Sequence, residues 1–179
     1  MYYGTHYQSP VGDLYLAGDE NNIIGLWIGE QKYITETMPE DIVEKSDIPA
    51  LQKGVCWLDD YFAGKKPELS RLPLAPAGGE FRQTVWQILT EIPYGYITTY
   101  GDIAKEAARR LGREKMSAQA VGGAVGHNPI SIMIPCHRVV GSNGSLTGYA
   151  GGIERKISLL IHEGVDMTKL FIPKKGTAL

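Results

Sequence analysis

Cys136, one of two cysteines in the chain, stands directly before His137 and Arg138 in the stretch Ile134-Pro135-Cys136-His137-Arg138-Val139-Val140. A free thiol with a pKa of about 8.5 is only a few per cent ionised at neutral pH, so a nucleophilic cysteine needs a base or a positive field beside it. His137 can supply the base. It would do so best with a carboxylate on its other ring nitrogen, fixing the tautomer and steadying the imidazolium. Glu163, Glu154 and Asp102 are all available for that role. The apolar run at residues 130–134 reads as a strand, and Pro135 fixes the entry angle, so the thiol is expected to be presented rather than buried. A Cys-His dipeptide alone is more often structural than functional, so its neighbours must decide.

The elements that would position these groups follow from periodicity. Residues 1–30 read as a small antiparallel meander: Tyr2 to Tyr7, a turn at Ser9-Pro10-Val11-Gly12, Asp13 to Ala17, the turn-rich Asp19-Glu20-Asn21-Asn22, and Ile23 to Ile28. In residues 48–62, Leu51, Val55, Leu58 and Phe62 recur at helical steps. Cys56 lies inside that helix and is expected to be a small apolar core residue. Prolines 67, 73 and 76 and Gly78-Gly79 interrupt the pattern, which sets an expected division into a small α/β domain at residues 1–77 and a second domain at residues 78–179.

The second unit reads as mainly helical. Phe81, Val85, Ile88 and Leu89 mark one helix; Thr98 or Thr99 can cap the next, from about Tyr100 to Leu111-Gly112; and Ser117 can cap a third, covering Ala118 to Val125. That third helix is almost without large side chains. Each glycine in it costs roughly 0.8 to 1 kcal/mol relative to alanine, so close approach to another surface should compensate. The pair reads either as a helix-turn-helix that docks on DNA or as a small-faced helix packed in the core. A Gly-rich loop at residues 141–152 and a last helix ending at Gly164 complete the chain, giving an α/β fold of the α+β kind.

The formal net charge of −2 hides an asymmetry. Residues 1–79 hold 6 Lys and Arg against 12 Asp and Glu, a net of −6, whereas residues 80–179 hold 12 against 8, a net of +4. The second half is the better partner for a polyanion. No CxxC pair or His/Cys cluster suggests a zinc site, so neither a metal nor a cofactor is expected. With no run of eighteen apolar residues and no signal-peptide pattern at the N-terminus, the expectation is a soluble cytoplasmic protein that does not associate with membranes.

Ile134-Pro135-Cys136-His137-Arg138-Val139 is similar to the active-site signature of the O6-alkylguanine-DNA alkyltransferases, the methylated-DNA-protein-cysteine methyltransferases. Five flanking pieces resemble that family in order: Ile92-Pro93-Tyr94-Gly95, Thr99-Tyr100-Gly101-Asp102-Ile103-Ala104, Ala120-Val121-Gly122-Gly123-Ala124 with Asn128-Pro129, Tyr149-Ala150-Gly151-Gly152, and Leu159-Leu160-Ile161-His162-Glu163-Gly164. The match covers residues 80–165, with a looser likeness before them. The resemblance implies a monomer that binds double-stranded DNA through the minor groove and flips out O6-alkylguanine, with O4-alkylthymine as a further substrate. The alkyl group passes irreversibly to Cys136. It implies His137 as base, acting through a water, Glu163 as its orienting carboxylate, and Asn128 as a brace between the recognition helix and the active-site segment. Tyr100 would donate a hydrogen bond to the departing base.

The implied DNA and substrate contacts are Ser117, Gln119, Ala120, Gly122 and Gly123 on the narrow helix, and Tyr149, Ala150 and Gly151 in a closing loop. The carbonyls of Cys136 and Val139 would read the exocyclic amine, and Arg138 would be structural or phosphate-facing. Two positions depart from the family pattern. Gln119 stands where many members carry an arginine that fills the space of the flipped base, and Ala150 stands where some have serine. Alternatives are a Cys-His-Glu hydrolase that turns over, or a sensor that flips alkylated bases without repairing them.

Overall fold

Strands form where apolar and polar residues alternate or where an apolar run is bounded by turns. β1 (Tyr2–Ser9), β2 (Gly12–Gly18) and β3 (Ile23–Ile28) pair antiparallel, β1 with β2 and β2 with β3, in a computed structural model that describes residues 1–174. Residues 175–179 of the expected second unit lie outside the described residues. A fourth strand, β4 (Ile42–Glu44), joins parallel to β1 and makes the sheet mixed, in the order β3-β2-β1-β4. Three residues are too few to display a period, as are the four of α1 (Ile34–Thr37).

Helix α2 (Pro49–Phe62) begins with proline at its first position, where a missing N–H costs nothing, and buries Ala50, Leu51, Gly54, Trp57, Leu58 and Tyr61. That spacing defines one helical face lying on the sheet. A side chain on Gly54 would come within 2.8 Å of Leu16 Cδ2, so glycine sets how closely helix and sheet approach. Cys56 lies off this face and is exposed, contrary to the core position expected for it. Its sequence neighbours Val55 and Trp57 are apolar, but at about 100° per residue they point elsewhere.

Helices α3 (Glu80–Thr90), α4 (Tyr100–Arg110) and α5 (Ala118–Gly126) pack on one another. Thr99 Oγ1 accepts from the Asp102 N–H at 3.1 Å and Ser117 Oγ from the Ala120 N–H at 2.9 Å, so both caps form as expected. A two-residue parallel pair, β5 (Thr98–Thr99) with β6 (Val139–Val140), ties the start of α4 to the end of the cysteine segment. Helix α6 (Ile153–His162) is stopped at Gly164, whose φ of 76° suits glycine.

The largest correction concerns residues 130–134, which are a buried turn and not a strand. A short apolar run has the same composition in either form. Here the Leu26 N–H donates to the Pro129 carbonyl at 2.8 Å and the Ser131 N–H to the Leu26 carbonyl at 2.9 Å, so β3 holds the start of the turn. The core is continuous through this contact: Leu14, Ile23 and Leu26 belong to the same buried cluster as Trp86, Ile134, Cys136 and Leu159. No helix among the described residues is long and apolar enough to cross a membrane.

Candidate active site

Asn128 shapes the turn that carries Cys136. Its Oδ1 accepts from the Ile130 N–H at 3.0 Å, and its Nδ2 donates to the Ile134 carbonyl at 2.8 Å. Within the turn Ile132 takes a φ of 68°, which a branched residue adopts only when its surroundings hold it there. Both it and Asn128 are buried. Cys136 then opens a single 3-10 turn through Arg138 and is only 3% exposed, so the thiol is enclosed and not presented. Burial pushes its pKa up; the Asn128 hydrogen bond and the charge of Lys156 oppose that shift without cancelling it.

His137 is fully buried, and its Nε2 lies 2.6 Å from Glu163 Oε1. Burial lowers the imidazole pKa despite the neighbouring carboxylate. The ring is therefore neutral at pH 7, and a carboxylate can only accept, so Nε2 carries the proton and Nδ1 the free lone pair. Nδ1 has no hydrogen-bond partner among the described residues. Of the three carboxylates available to this histidine, Glu163 is the one in contact. Asp102 instead lies 2.8 Å from Thr99 Oγ1, and Glu154 is exposed.

Glu163 is a hub. Tyr61 of α2 donates to Oε1 at 2.8 Å, Arg138 donates through Nη2 to Oε1 at 2.9 Å and through Nε to Oε2 at 2.8 Å, and the Gly95 N–H reaches Oε2 at 3.4 Å. Burial resists ionisation of this carboxyl, but the hydrogen bonds and charges of His137 and Arg138 outweigh it and hold the pKa well below the usual carboxylate range. Arg138 also donates to the Ile92 carbonyl at 2.6 Å and is buried. Its guanidinium is thus spent on interior partners, Glu163 and the Ile92 carbonyl.

A loop roofs the thiol. Tyr100 at the start of α4 donates to the Thr147 carbonyl at 2.9 Å and lies 3.3 Å from that of Gly148. Gly148, with φ 75°, is where this contact needs glycine: a Cβ there would sit 2.5 Å from the Tyr100 oxygen. Lys156 of α6, fully buried, donates to the Val139 carbonyl and to the Thr147 carbonyl, the latter at 2.8 Å. Outside this roof lies a cleft of about 630 Å³, lined by Gln119, Gly122, Gly123 and Gly126 of α5 and by Tyr149 and Ala150 of the loop, among others. Ser117, Gln119, Ala120 and Gly123 are exposed, so α5 turns one narrow face outward while Val121, Ala124 and Val125 pack inward. Among the described residues, no group of three or more His, Cys, Asp or Glu is placed to hold a metal.

A family model described as the DNA-binding domain of 6-O-methylguanine DNA methyltransferase matches residues 80–165. A second, described as the ribonuclease-like domain of the same protein, matches residues 1–76. The chain belongs to the 6-O-methylguanine DNA methyltransferase family. A methylated-DNA–protein-cysteine methyltransferase from Haemophilus influenzae is 41% identical over 177 residues, covering 94% of this chain and 93% of that one. A namesake from Methanosarcina acetivorans is 43% identical over 166 residues, 92% and 99% of the two chains. The fold is similar to that of the crystal structure of Mycobacterium tuberculosis OGT in complex with DNA, with a TM-score of 0.76 at 40% identity over 90% of this chain and 91% of that one.

Family likeness in the sequence led to His137 and Glu163, whose side chains are in contact, and to Cys136 next to His137 in the chain, but not to Tyr61 or Lys156. Tyr61 reads as one more aromatic on the apolar face of α2, and nothing local marks a partner 102 positions away. Lys156 did leave a signal. It interrupts the buried face of α6 that Leu159 and Leu160 continue, and a lysine on such a face must find partners.

Proposed function

We propose that this chain repairs alkylated DNA by direct reversal, accepting the alkyl group of O6-alkylguanine on Cys136 Sγ once per molecule. The observation that carries this reading is the enclosed Cys136 thiol beside the Glu163-held His137, behind the exposed small-residue face of α5, in a chain of this family. DNA lies with its minor groove on α5, where Ser117, Gln119, Ala120, Gly122 and Gly123 permit an approach that large side chains would block in a groove about 6 Å wide. The damaged guanine swings out at a cost of a few kcal/mol, least for a poorly paired base. Gln119 hydrogen-bonds the orphaned partner without adding charge.

For the base to enter, the loop of Tyr149, Ala150 and Gly151 lifts and closes over it. His137 Nδ1 takes the thiol proton through a water, and Glu163 steadies the imidazolium. Sulfur attacks the alkyl carbon, the S–C bond forms, and the C–O6 bond breaks with its electron pair going to guanine. Tyr100, whose hydroxyl burial keeps protonated, exchanges its Thr147 bond for one to the base and passes its proton to it as the C–O6 bond breaks, so guanine leaves neutral and the tyrosinate recovers a proton from the His137 imidazolium through water. The carbonyls of Cys136 and Val139 accept from the exocyclic amine; the second lone pair of Val139 remains for this beside Lys156. The Ala150 N–H lies near O6. O4-alkylthymine is accepted by the same route.

No step regenerates the thiol. On this reading the protein acts as a monomer in the cytoplasm, with residues 1–77 as a bracing domain and residues 78–179 as the DNA-binding, alkyl-accepting domain. The test is stoichiometry on a duplex carrying O6-methylguanine: repaired product should stop at one equivalent per protein and be absent for Cys136→Ala. Continued release beyond one equivalent would point to a hydrolase, and binding without any transfer to a sensor.

A further inference from the structure

The cleft beside α5 has a wall that neither the helix nor the roofing loop supplies. Lys32 and Tyr33, from the segment after β3, line it together with Gln119, Gly126 and Ala150. Among the described residues lining this cleft, Lys32 alone carries a charge. It belongs to the half of the chain whose net charge is −6, so bulk electrostatics do not account for a cation at this place.

The segment is built to hold its position. Gln31 is buried, with its Oε1 accepting from the Ile28 N–H at 2.9 Å and from Ser131 Oγ at 3.2 Å, which pins the chain beside the cysteine turn. The Lys32 N–H donates to the Ala150 carbonyl at 3.0 Å, joining the segment to the roofing loop. Tyr33 takes a φ of 63°, in the left-handed region, and its ring stacks on His127 just past the end of α5, with centroids 4.0 Å apart and planes 19° from parallel. His127 is held in turn, its Nε2 lying 3.0 Å from Glu36 Oε2. Gly126 makes room for the stack, since a Cβ there would lie 3.3 Å from Tyr33 Cε2. A left-handed backbone is unfavourable for tyrosine and is kept only where the surroundings hold it, so the Lys32 backbone is fixed while its exposed ammonium stands 4.9 Å from the Tyr33 ring centroid.

We infer that Lys32, fixed by Tyr33 at the rim of the α5 cleft, binds a backbone phosphate of the DNA, so that the N-terminal sheet unit is part of the DNA interface. The inference rests on the function proposed above. It follows from two facts taken together: a polyanion seated on α5 meets no charged side chain from the helix in this cleft, where Gln119 is neutral, and the one ammonium in the wall has a fixed base and a free head. A phosphate contact of this kind adds affinity without reading sequence, and it releases about one counterion.

The experiment measures duplex binding across a salt series in a Cys136→Ser background, which separates binding from reaction. Lys32→Ala should weaken binding about three- to tenfold at low salt and lower the slope of log affinity against log salt by about one, with Lys32→Arg restoring both. Lys53→Ala, an exposed change on α2 that is not part of the cleft, controls for net charge. With Cys136 intact, Lys32→Ala should react with free O6-benzylguanine as fast as the parent, because no phosphate is present. An unchanged salt slope, or an equal change in Lys53→Ala, overturns the inference. If the parent protein takes no alkyl group from DNA, the functional reading falls instead, and the two failures are told apart.

Discussion

Cys136 and His137 are each held toward the neutral form in the closed site, because burial raises the thiol pKa and lowers the imidazole pKa. The proton therefore stays on sulfur until a substrate fills the pocket. The charge acting on the sulfur from inside is Lys156, whose own pKa burial pushes down to about 8. Lys156→Met removes that charge and leaves the Val139 and Thr147 carbonyls without this donor. Transfer from free O6-benzylguanine should be slower and its pH profile should move up by about one unit; an unmoved profile would confine Lys156 to anchoring the roof. Glu163→Gln has a double effect. It weakens the hold on His137, slowing transfer on the order of a hundredfold, and it strands the buried Arg138 guanidinium, costing roughly 3–5 kcal/mol of stability. Single-turnover kinetics below the variant's melting range, with denaturant unfolding beside them, read the two separately; wild-type values in both would remove Glu163 from the centre of the site.

At the scale of elements, the local rules were legible and the long-range ones were not. Alternation located β1 to β3, and the caps at Thr99 and Ser117 located α4 and α5, because a cap or a period is a property of neighbouring residues. The run at residues 130–134 reads as strand yet folds as a turn, because its conformation is set from outside, by Asn128 and by Leu26 of β3. Motifs pointed to His137 and Glu163, which are in contact at the site. They did not mark its burial, since the roof over Cys136 depends on Tyr100 and Lys156 meeting one loop carbonyl. On α5, Gln119 is exposed at the cleft and neutral. Gln119→Arg should therefore quicken repair in duplex DNA, by severalfold, more than in single-stranded DNA, where there is no partner base to replace. Equal gains on both substrates would show that the added charge only improves binding.

For the molecule as a whole, the site doubles as a structural joint. Tyr61 of α2 and Arg138 meet at Glu163, so the N-terminal helix is bonded to the carboxylate behind the histidine. Acid should open this joint, and the signs agree. Glu163 has a folded pKa below its ordinary 4.5, so its stabilisation is full above that pH and fades as pH falls further. His137 has a folded pKa below 6.5, so the unfolded chain binds the extra proton first and stability already declines beneath that pH. Unfolding free energy should thus fall from about pH 6.5 downward and more steeply below about 4.5, as urea titrations at several pH values would show; a flat profile across this range would mean that the pair is not coupled to folding. The claim on which the whole account turns is that the molecule is consumed by its own reaction. Its most direct measurement is mass spectrometry of the intact protein and its peptides after incubation with excess O6-methylguanine duplex. The account predicts one methyl group per molecule, carried on the Cys136 peptide and absent from Cys56; repaired DNA alongside an unmodified Cys136 would contradict it.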